Sequence, residues 1–319
     1  MITKSVRTRN FIVHPVALFI ESLLLIVLSG CSLISNDKVD TETSDIVQVT
    51  ATHTILLTST STPTPTQTLI PATLTPDPMT LFGKDGATLM YVPAGEYSMG
   101  SDNTEADEAP FHTVFLDAFW IDKTEVTVRM YSLCVDVGTC KEPTNKKSFS
   151  RPVYYGNVEF ENYPVIYVDW NMAKTYCEWA GRRLPSEAEW EKVARGTMAN
   201  EYPWGDAAPS ADLLNYDRNM GDTTDVEKYP DGKSIYGALD MAGNVWEWVN
   251  DWYDEAYYQS SDSVNPLGPG PETSRYRVLR GGSWTDGSKV FRSSNRFKNY
   301  PDTSNYDIGF RCALSETPK

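Results

Sequence analysis

The chain has 319 residues, with 28 Lys and Arg against 43 Asp and Glu, a formal net charge of −15. That balance argues against nucleic acid or an anionic membrane surface as a partner. It suits a solvated protein, or one that binds cations or basic peptides.

The first fifteen residues are basic, with Lys4, Arg7 and Arg9 and no acid, and an apolar run from Val16 to Leu28 follows, interrupted by Glu21. The run is short for a membrane span and reads as the core of an export signal. It ends in Leu28-Ser29-Gly30-Cys31, which resembles the bacterial lipobox, so residues 1–31 are expected to be a lipoprotein signal peptide with Cys31 as the acylated residue. Two acyl chains anchor stably where one does not. Residues 32–79 are expected to be a disordered tether, because Thr, Ser and Pro dominate and cannot bury a core. The remainder, 80–319, is about the size of one large domain. The expected location is outside the cytoplasm, attached to the cell membrane or envelope through Cys31.

Within the domain, Met90 to Ser101 reads as strand, turn, strand, and Asp102 to Glu108 as a solvated acidic loop. Phe111 to Ile121 alternates like a pair of strands, and Thr124 to Val135 looks helical. Asp169 is a plausible N-cap for a helix over Trp170–Ala180, with Gly181 as its stop. Pro185 breaks the chain, and Ser186-Glu-Ala-Glu189 fits a capping box for a helix that runs to Arg195 and ends at Gly196. From 197 onward, Gly, Pro, Asp, Asn and Trp are dense, so short strands joined by long ordered loops are expected. No internal repeat is visible. The predicted class is a single α+β domain rich in loops. If Cys31 carries lipid, Cys134, Cys140, Cys177 and Cys312 remain. An even count outside the cytoplasm suggests two disulfides, and four cysteines allow three pairings.

Eight segments, in order over about residues 85–314, carry a family resemblance. They are Tyr91-Val-Pro-Ala-Gly-Glu-Tyr-Ser-Met-Gly100, Phe119-Trp-Ile-Asp-Lys-Thr-Glu-Val-Thr127, Pro164-Val-Ile-Tyr-Val-Asp-Trp170, Tyr176-Cys-Glu-Trp-Ala-Gly-Arg-Arg-Leu-Pro-Ser-Glu-Ala-Glu-Trp-Glu191, Pro203-Trp-Gly-Asp206, Tyr236-Gly-Ala-Leu-Asp-Met-Ala-Gly-Asn-Val-Trp-Glu-Trp248, Arg280-Gly-Gly-Ser-Trp284 and Gly309-Phe-Arg-Cys312. Together they resemble the formylglycine-generating enzyme family, also called sulfatase-modifying factor domains. The resemblance implies a loop-rich variant of the C-type lectin fold. It implies a Cys177–Cys312 disulfide and leaves Cys134 and Cys140 as a local pair. It also implies structural calcium held by Asp240, Gly243, Val245 and Glu247, a hard-oxygen set suited to that ion. A second implied cation position falls at Asn215 and Tyr216, with Asp222 as a further candidate.

The family's catalytic chemistry is not implied. Its oxidase binds copper through two cysteines just after the Gly-Gly-Ser-aromatic segment, and soft thiolates are what select Cu(I). Here those two positions hold Asp286 and Phe291. The histidine-ligated iron of related sulfoxide synthases is not expected either, because His14, His53 and His112 are the only histidines and the first two precede the domain. His112 reads as a structural hydrogen-bonding group beside Pro110. Neither copper nor iron is therefore expected as cofactor, and no catalytic residue is assigned.

Two functions compete. In the first, a surface-anchored non-catalytic module binds an unknown protein, peptide or small molecule in a groove near Ser283, Trp284, Asp286, Arg292 and Arg296, where aromatic and Arg side chains are suitable anchors. Regulation of a membrane enzyme or receptor is a variant of it. In the second, a divergent oxidoreductase acts on a protein or small thiol substrate.

Overall fold

The computed structural model describes residues 80–316, so the expected signal, Cys31 and the tether lie outside the described residues. Three sheets and three α-helices build the domain. Strands β1 (Thr80–Phe82), β2 (Thr88–Val92), β3 (Gly95–Met99), β4 (His112–Leu116) and β5 (Phe119–Asp122) precede helix α1 (Val128–Asp136). Helices α2 (Trp170–Trp179) and α3 (Glu187–Arg195) follow. Then come β6 (Trp246–Trp252), β7 (Arg277–Arg280), β8 (Phe297–Asn299), β9 (Ile308–Phe310) and β10 (Ala313–Ser315). Long ordered loops join them, in keeping with the loop-rich α+β class read from the sequence.

The expected strands form, but their partners are not their sequence neighbours. One sheet has the order β1-β2-β5-β10, a second is the pair β3-β4, and a third has the order β8-β7-β6-β9. Thus β2 and β3, read as strand-turn-strand, part into different sheets, and so do β4 and β5. The side-chain period of two announces a strand without naming its partner. In the third sheet β6 runs parallel to β9, with Glu247 opposite Gly309, and antiparallel to β7, with Glu247 opposite Arg280.

Two of the three helices begin where their caps predict. Asp169 accepts a hydrogen bond from the Met172 amide at 2.8 Å. Ser186 and Glu189 exchange both bonds of a capping box, at 2.8 and 3.1 Å. Gly181 and Gly196 close these helices at φ 79° and 67°, where a Cβ is strained. Helix α1 instead starts at Val128, capped by Thr127, four residues later than expected. The reason is that Val126 is claimed by extended pairing: its N–H donates to Phe310 O at 2.9 Å and its carbonyl accepts from Val165 N at 2.8 Å.

All nine residues of α3 are buried, five of them charged. Glu189 is met by Arg183 and Lys192 by the carbonyls of Pro93 and Gly95, while Glu187 and Glu191 take arginines from the third sheet and its flank. Arg280 reaches Glu187 at 3.1 Å and Glu191 at 2.7 Å, and Arg296 binds both oxygens of Glu187 at 2.8 and 2.9 Å. Arg195 completes the set on Glu191 at 2.9 Å. A buried charge is tolerable only when so paired. The same demand corrects the acidic loop: Glu108 is fully buried, not solvated, and takes Arg292 Nη2 at 2.5 Å.

Both disulfides join the cysteines that the resemblance implies. Cys177 of α2 is bonded to Cys312, with 135 residues between positions, and Cys134 to Cys140, with six. The longer closure removes more freedom from the unfolded chain, about 5 kcal/mol against about 2 on the loop-entropy model. Urea unfolding should therefore show a larger stability loss for the Cys177→Ser, Cys312→Ser pair than for Cys134→Ser, Cys140→Ser. Equal losses would contradict it.

Candidate functional site

Residues 240–247 form a tight loop leading into β6. Its backbone takes positive φ at Asp240 (56°), Gly243 (77°) and Asn244 (59°). Gly243 is required for space as well, since a Cβ there would lie 2.4 Å from Asn215 O. The structure thus brings the Asn215 segment onto the Asp240–Glu247 loop, and Asn244 N donates to Asn215 O at 3.0 Å.

Glu247 is fully buried and saturated. Arg311 binds its two oxygens at 2.7 Å each, and the Trp190 indole donates to Oε2 at 2.9 Å. Asp240 Oδ2 accepts from the Glu227 amide at 2.9 Å. Glu125, which the sequence reading did not single out, completes the cluster. It is fully buried, its Oε1 accepts from Asn244 Nδ2 at 3.0 Å, and its Oε2 has no partner among the described residues. The buried Oδ1 of Asn215 is likewise unpaired. Three buried carboxylates face one guanidinium, so burial and mutual repulsion push Asp240 up to about 6 and Glu125 well above the usual carboxylate range.

This charge excess and these unmet oxygens suit a hard cation. Among the described residues no three His, Cys, Asp or Glu side chains converge as a ligand set, so main-chain carbonyls would have to supply part of its shell. The remaining candidates are otherwise engaged. Asp222 Oδ2 accepts from Ser148 Oγ at 2.5 Å and from the Ser150 amide and hydroxyl at 2.8 and 2.7 Å. The Tyr216 carbonyl accepts a turn bond from Asn219 N at 2.9 Å.

The other expected site is rearranged. Ser283 is buried, and its amide and hydroxyl donate to Asp286 Oδ2 at 3.0 and 2.7 Å. Asp286 therefore closes its own turn. Phe291 is 1 % exposed, packs edge-on against Tyr216 with centroids 5.7 Å apart, and lies against Gly282, where a Cβ would meet its ring at 2.6 Å. The two positions that carry thiolates in the family thus hold a turn-forming carboxylate and a core ring. This donor set does not fit copper.

The groove expected from five residues is corrected in four of them, since Ser283 and Trp284 are fully buried and both arginines are engaged. Arg292 is engaged with Glu108, and Arg296 is buried against Glu187, so neither is presented to a ligand. What surrounds Trp284 instead is Phe149, Arg218 and Tyr306. The Phe149 and Tyr306 rings sit 5.3 and 5.9 Å from Trp284, and the Arg218 guanidinium 5.8 Å from it. No local motif marks Phe149 or Arg218. His112 uses Nδ1–H to donate to Pro110 O at 2.8 Å and rests against Tyr258, as a structural group would.

The sequence profile described as "Sulfatase-modifying factor enzyme 1-like domain" matches residues 77–316. The chain belongs to this family. Among its relatives, the serine/threonine-protein kinase Pkn1 of Chlamydia trachomatis serovar L2 is 36 % identical over 239 residues, covering 70 % of this chain and 38 % of that protein. This chain therefore spans little more than a third of the length of that relative. The formylglycine-generating enzyme of Streptomyces coelicolor is 34 % identical over 276 residues, covering 70 % of this chain and 87 % of the enzyme. Of solved structures, PvdO from Pseudomonas aeruginosa superposes with a TM-score of 0.64 at 27 % identity, over 75 % of this chain and 99 % of that one. The sulfatase-modifying-factor fold is thus shared across the whole described domain.

The raised Asp240 carboxyl has a thermodynamic signature. Below about pH 4 it is protonated in folded and unfolded chains alike. As pH rises toward about 6 the unfolded chain ionises first, so folded stability falls across that window and then levels. In chelator-treated protein, Asp240→Asn should remove this decline, a gain on the order of 2 kcal/mol at pH 7.5 relative to pH 4. Urea midpoints of both proteins at the two pH values measure it.

Proposed function

We propose that this chain is an exported, lipid-anchored binding module of the sulfatase-modifying-factor family that no longer performs the family's oxidation. The observation that carries this reading is the pair of residues in the thiolate positions. Asp286 is tied to Ser283, and Phe291 is a core residue. All four cysteines among the described residues are in disulfides, so none can serve as a soft ligand. The extracytoplasmic setting is supported by those disulfides, which persist in oxidising compartments, and by the signal-like N-terminus ending in Cys31.

The second element of the proposal is calcium at the loop Asp240–Glu247. Asp240 and the carbonyls of Gly243 and Val245 would hold it. Glu247 would contribute charge from beside Arg311, and Asn215 Oδ1 and Glu125 Oε2 are the unpaired oxygens nearest in the network. Bound there, the ion would neutralise the excess carboxylate charge and fix the loop against the Asn215 segment. Its role is structural.

Metal analysis separates this reading from a divergent oxidase. The purified chain is exposed in turn to Ca(II), Cu(I) and Fe(II), desalted, and analysed by mass spectrometry. Calcium is expected to be retained and to be lost in Asp240→Ala, while copper and iron are washed out. Stoichiometric copper or iron that disappears in Asp286→Ala, with oxygen uptake in the presence of a thiol peptide, would overturn the non-catalytic reading. Anchoring has its own check. Cys31→Ser should move the protein from the membrane fraction to the soluble one, and an unchanged distribution would exclude acylation at that residue.

A further inference from the structure

The two disulfides differ in their access to solvent. Cys177 and Cys312 have no exposed surface, and neither has Cys134. Cys140 is 7 % exposed and lines a cavity of about 420 Å³. The cavity lies where the end of α1 meets the start of α2. Its other walls include Lys141, Glu142 and Thr144 on one side and Asp169 and Asn171 on the other. These are polar side chains, so a solvated, charged molecule can enter and reach the sulfur.

The loop that carries this pair is built without help from the S–S bond. The amides of Thr139 and Cys140 both donate to Cys134 O at 3.2 Å, and Gly138 N donates to Val135 O at 2.8 Å. Gly138 makes the turn at φ 76°. The Tyr131 hydroxyl then donates to Lys141 O at 2.9 Å and fixes the exit of the loop. Opening a closure of six residues removes little of the fold's stability, whereas opening the one of 135 residues removes much more. The two freed thiols would therefore stay side by side in a folded chain, ready to close again. The charges at the cavity mouth are uneven. Glu142 is taken by Lys146 at 2.7 Å, and Asp169 is spent on capping α2, while Lys141 has no ion pair among the described residues.

We propose that Cys134–Cys140 is an exchangeable disulfide that reacts with small anionic thiols at Cys140. The incoming thiolate forms a bond to Cys140 Sγ, the Cys134–Cys140 bond breaks, and Cys134 leaves as a thiolate that takes a proton from water. The product is a mixed disulfide on Cys140. A second external thiolate attacks the external sulfur of that mixed disulfide, releases the external disulfide and leaves Cys140 reduced. In sum, two external thiols are oxidised to one disulfide, and the cysteine pair gains two electrons and two protons. An external disulfide runs the same steps backwards and restores the bond. Attack falls on Cys140 because its partner is sealed inside, and Lys141 favours a thiol that carries negative charge. The site is separate from the Trp284 face and from the cation loop, and it does not depend on the reading of either. Through it the domain can accept electrons, or carry a thiol covalently, without unfolding.

The test uses the purified full chain and reduced glutathione, without oxygen. Samples are quenched in acid, capped with N-ethylmaleimide in urea and read by peptide mass spectrometry. The first product expected is glutathione on Cys140 with maleimide on Cys134, followed by maleimide on both. This pair should open at least roughly a hundredfold faster than Cys177–Cys312, which is reached only when the core opens. The opened chain should keep its near-ultraviolet circular dichroism and close again with oxidised glutathione. Lys141→Glu should slow glutathione severalfold relative to neutral 2-mercaptoethanol, with an unchanged thermal midpoint. Glutathione on Cys134 in place of Cys140, both pairs opening together, no opening below the unfolding transition, or loss of the tertiary signal on opening overturns the proposal. An unchanged ratio of the two rates in Lys141→Glu overturns the preference for anionic thiols.

Discussion

Arg311 donates two hydrogen bonds to Glu247 and further ones to the carbonyls of Asp122, Lys123 and Leu239, and neither side chain is exposed. Those acceptors come from three places: the end of β5 in the first sheet, the approach to the 240–247 loop, and β6 in the third sheet. Trp190 of α3 adds its indole to Glu247. A single guanidinium therefore ties two sheets and the 240–247 loop, with one helix joined to them through Glu247. Burying it is expensive, and removing either partner would leave the other charge stranded in the interior. In a domain with so little regular structure, this pair replaces some of the specificity that a continuous sheet or helix bundle would supply.

The same solution recurs around α3. Its nine residues carry five charges and none is left at the surface, because Arg183, Arg280 and Arg296 arrive from outside the helix to meet Glu187, Glu189 and Glu191. A helix announced in the sequence only by its caps is in fact buried along its whole length. Fixed geometry here matters for the face near Trp284, since Arg280 leads directly into the Gly281-Gly282-Ser283 turn.

Local signals were legible and distant ones were not. The Asp169 cap, the Ser186–Glu189 box and the stopping glycines announce their helices because each acts within a few residues. The disulfide pairing followed from motif resemblance, not from spacing. Strand partners were hidden, since β2 and β3 are neighbours in sequence but not in space. The late start of α1 was hidden for the same reason: Phe310 and Val165 compete for Val126 from far along the chain. In the candidate site, Ser283, Trp284 and Asp286 were readable from one segment, whereas Phe149 and Arg218 arrive from loops with no motif of their own. Arg292 and Arg296 misled because a charged side chain in sequence does not show whether its counter-ion lies inside.

The last strands have a consequence for how the chain reaches its fold. Arg311 and Cys312 secure Glu247 and Cys177, the Cys312 amide donates to Asp122 at 2.9 Å, and Ala313 exchanges both backbone bonds with Arg183. Each of these contacts joins the end of the chain to something far upstream, 190 residues in the case of Asp122. Closing such long loops costs entropy before any contact repays it, and topologies of this kind fold slowly. The interior can therefore be completed only after residue 312 is available. Completion of the core waits on the end of the domain and cannot proceed segment by segment from its beginning.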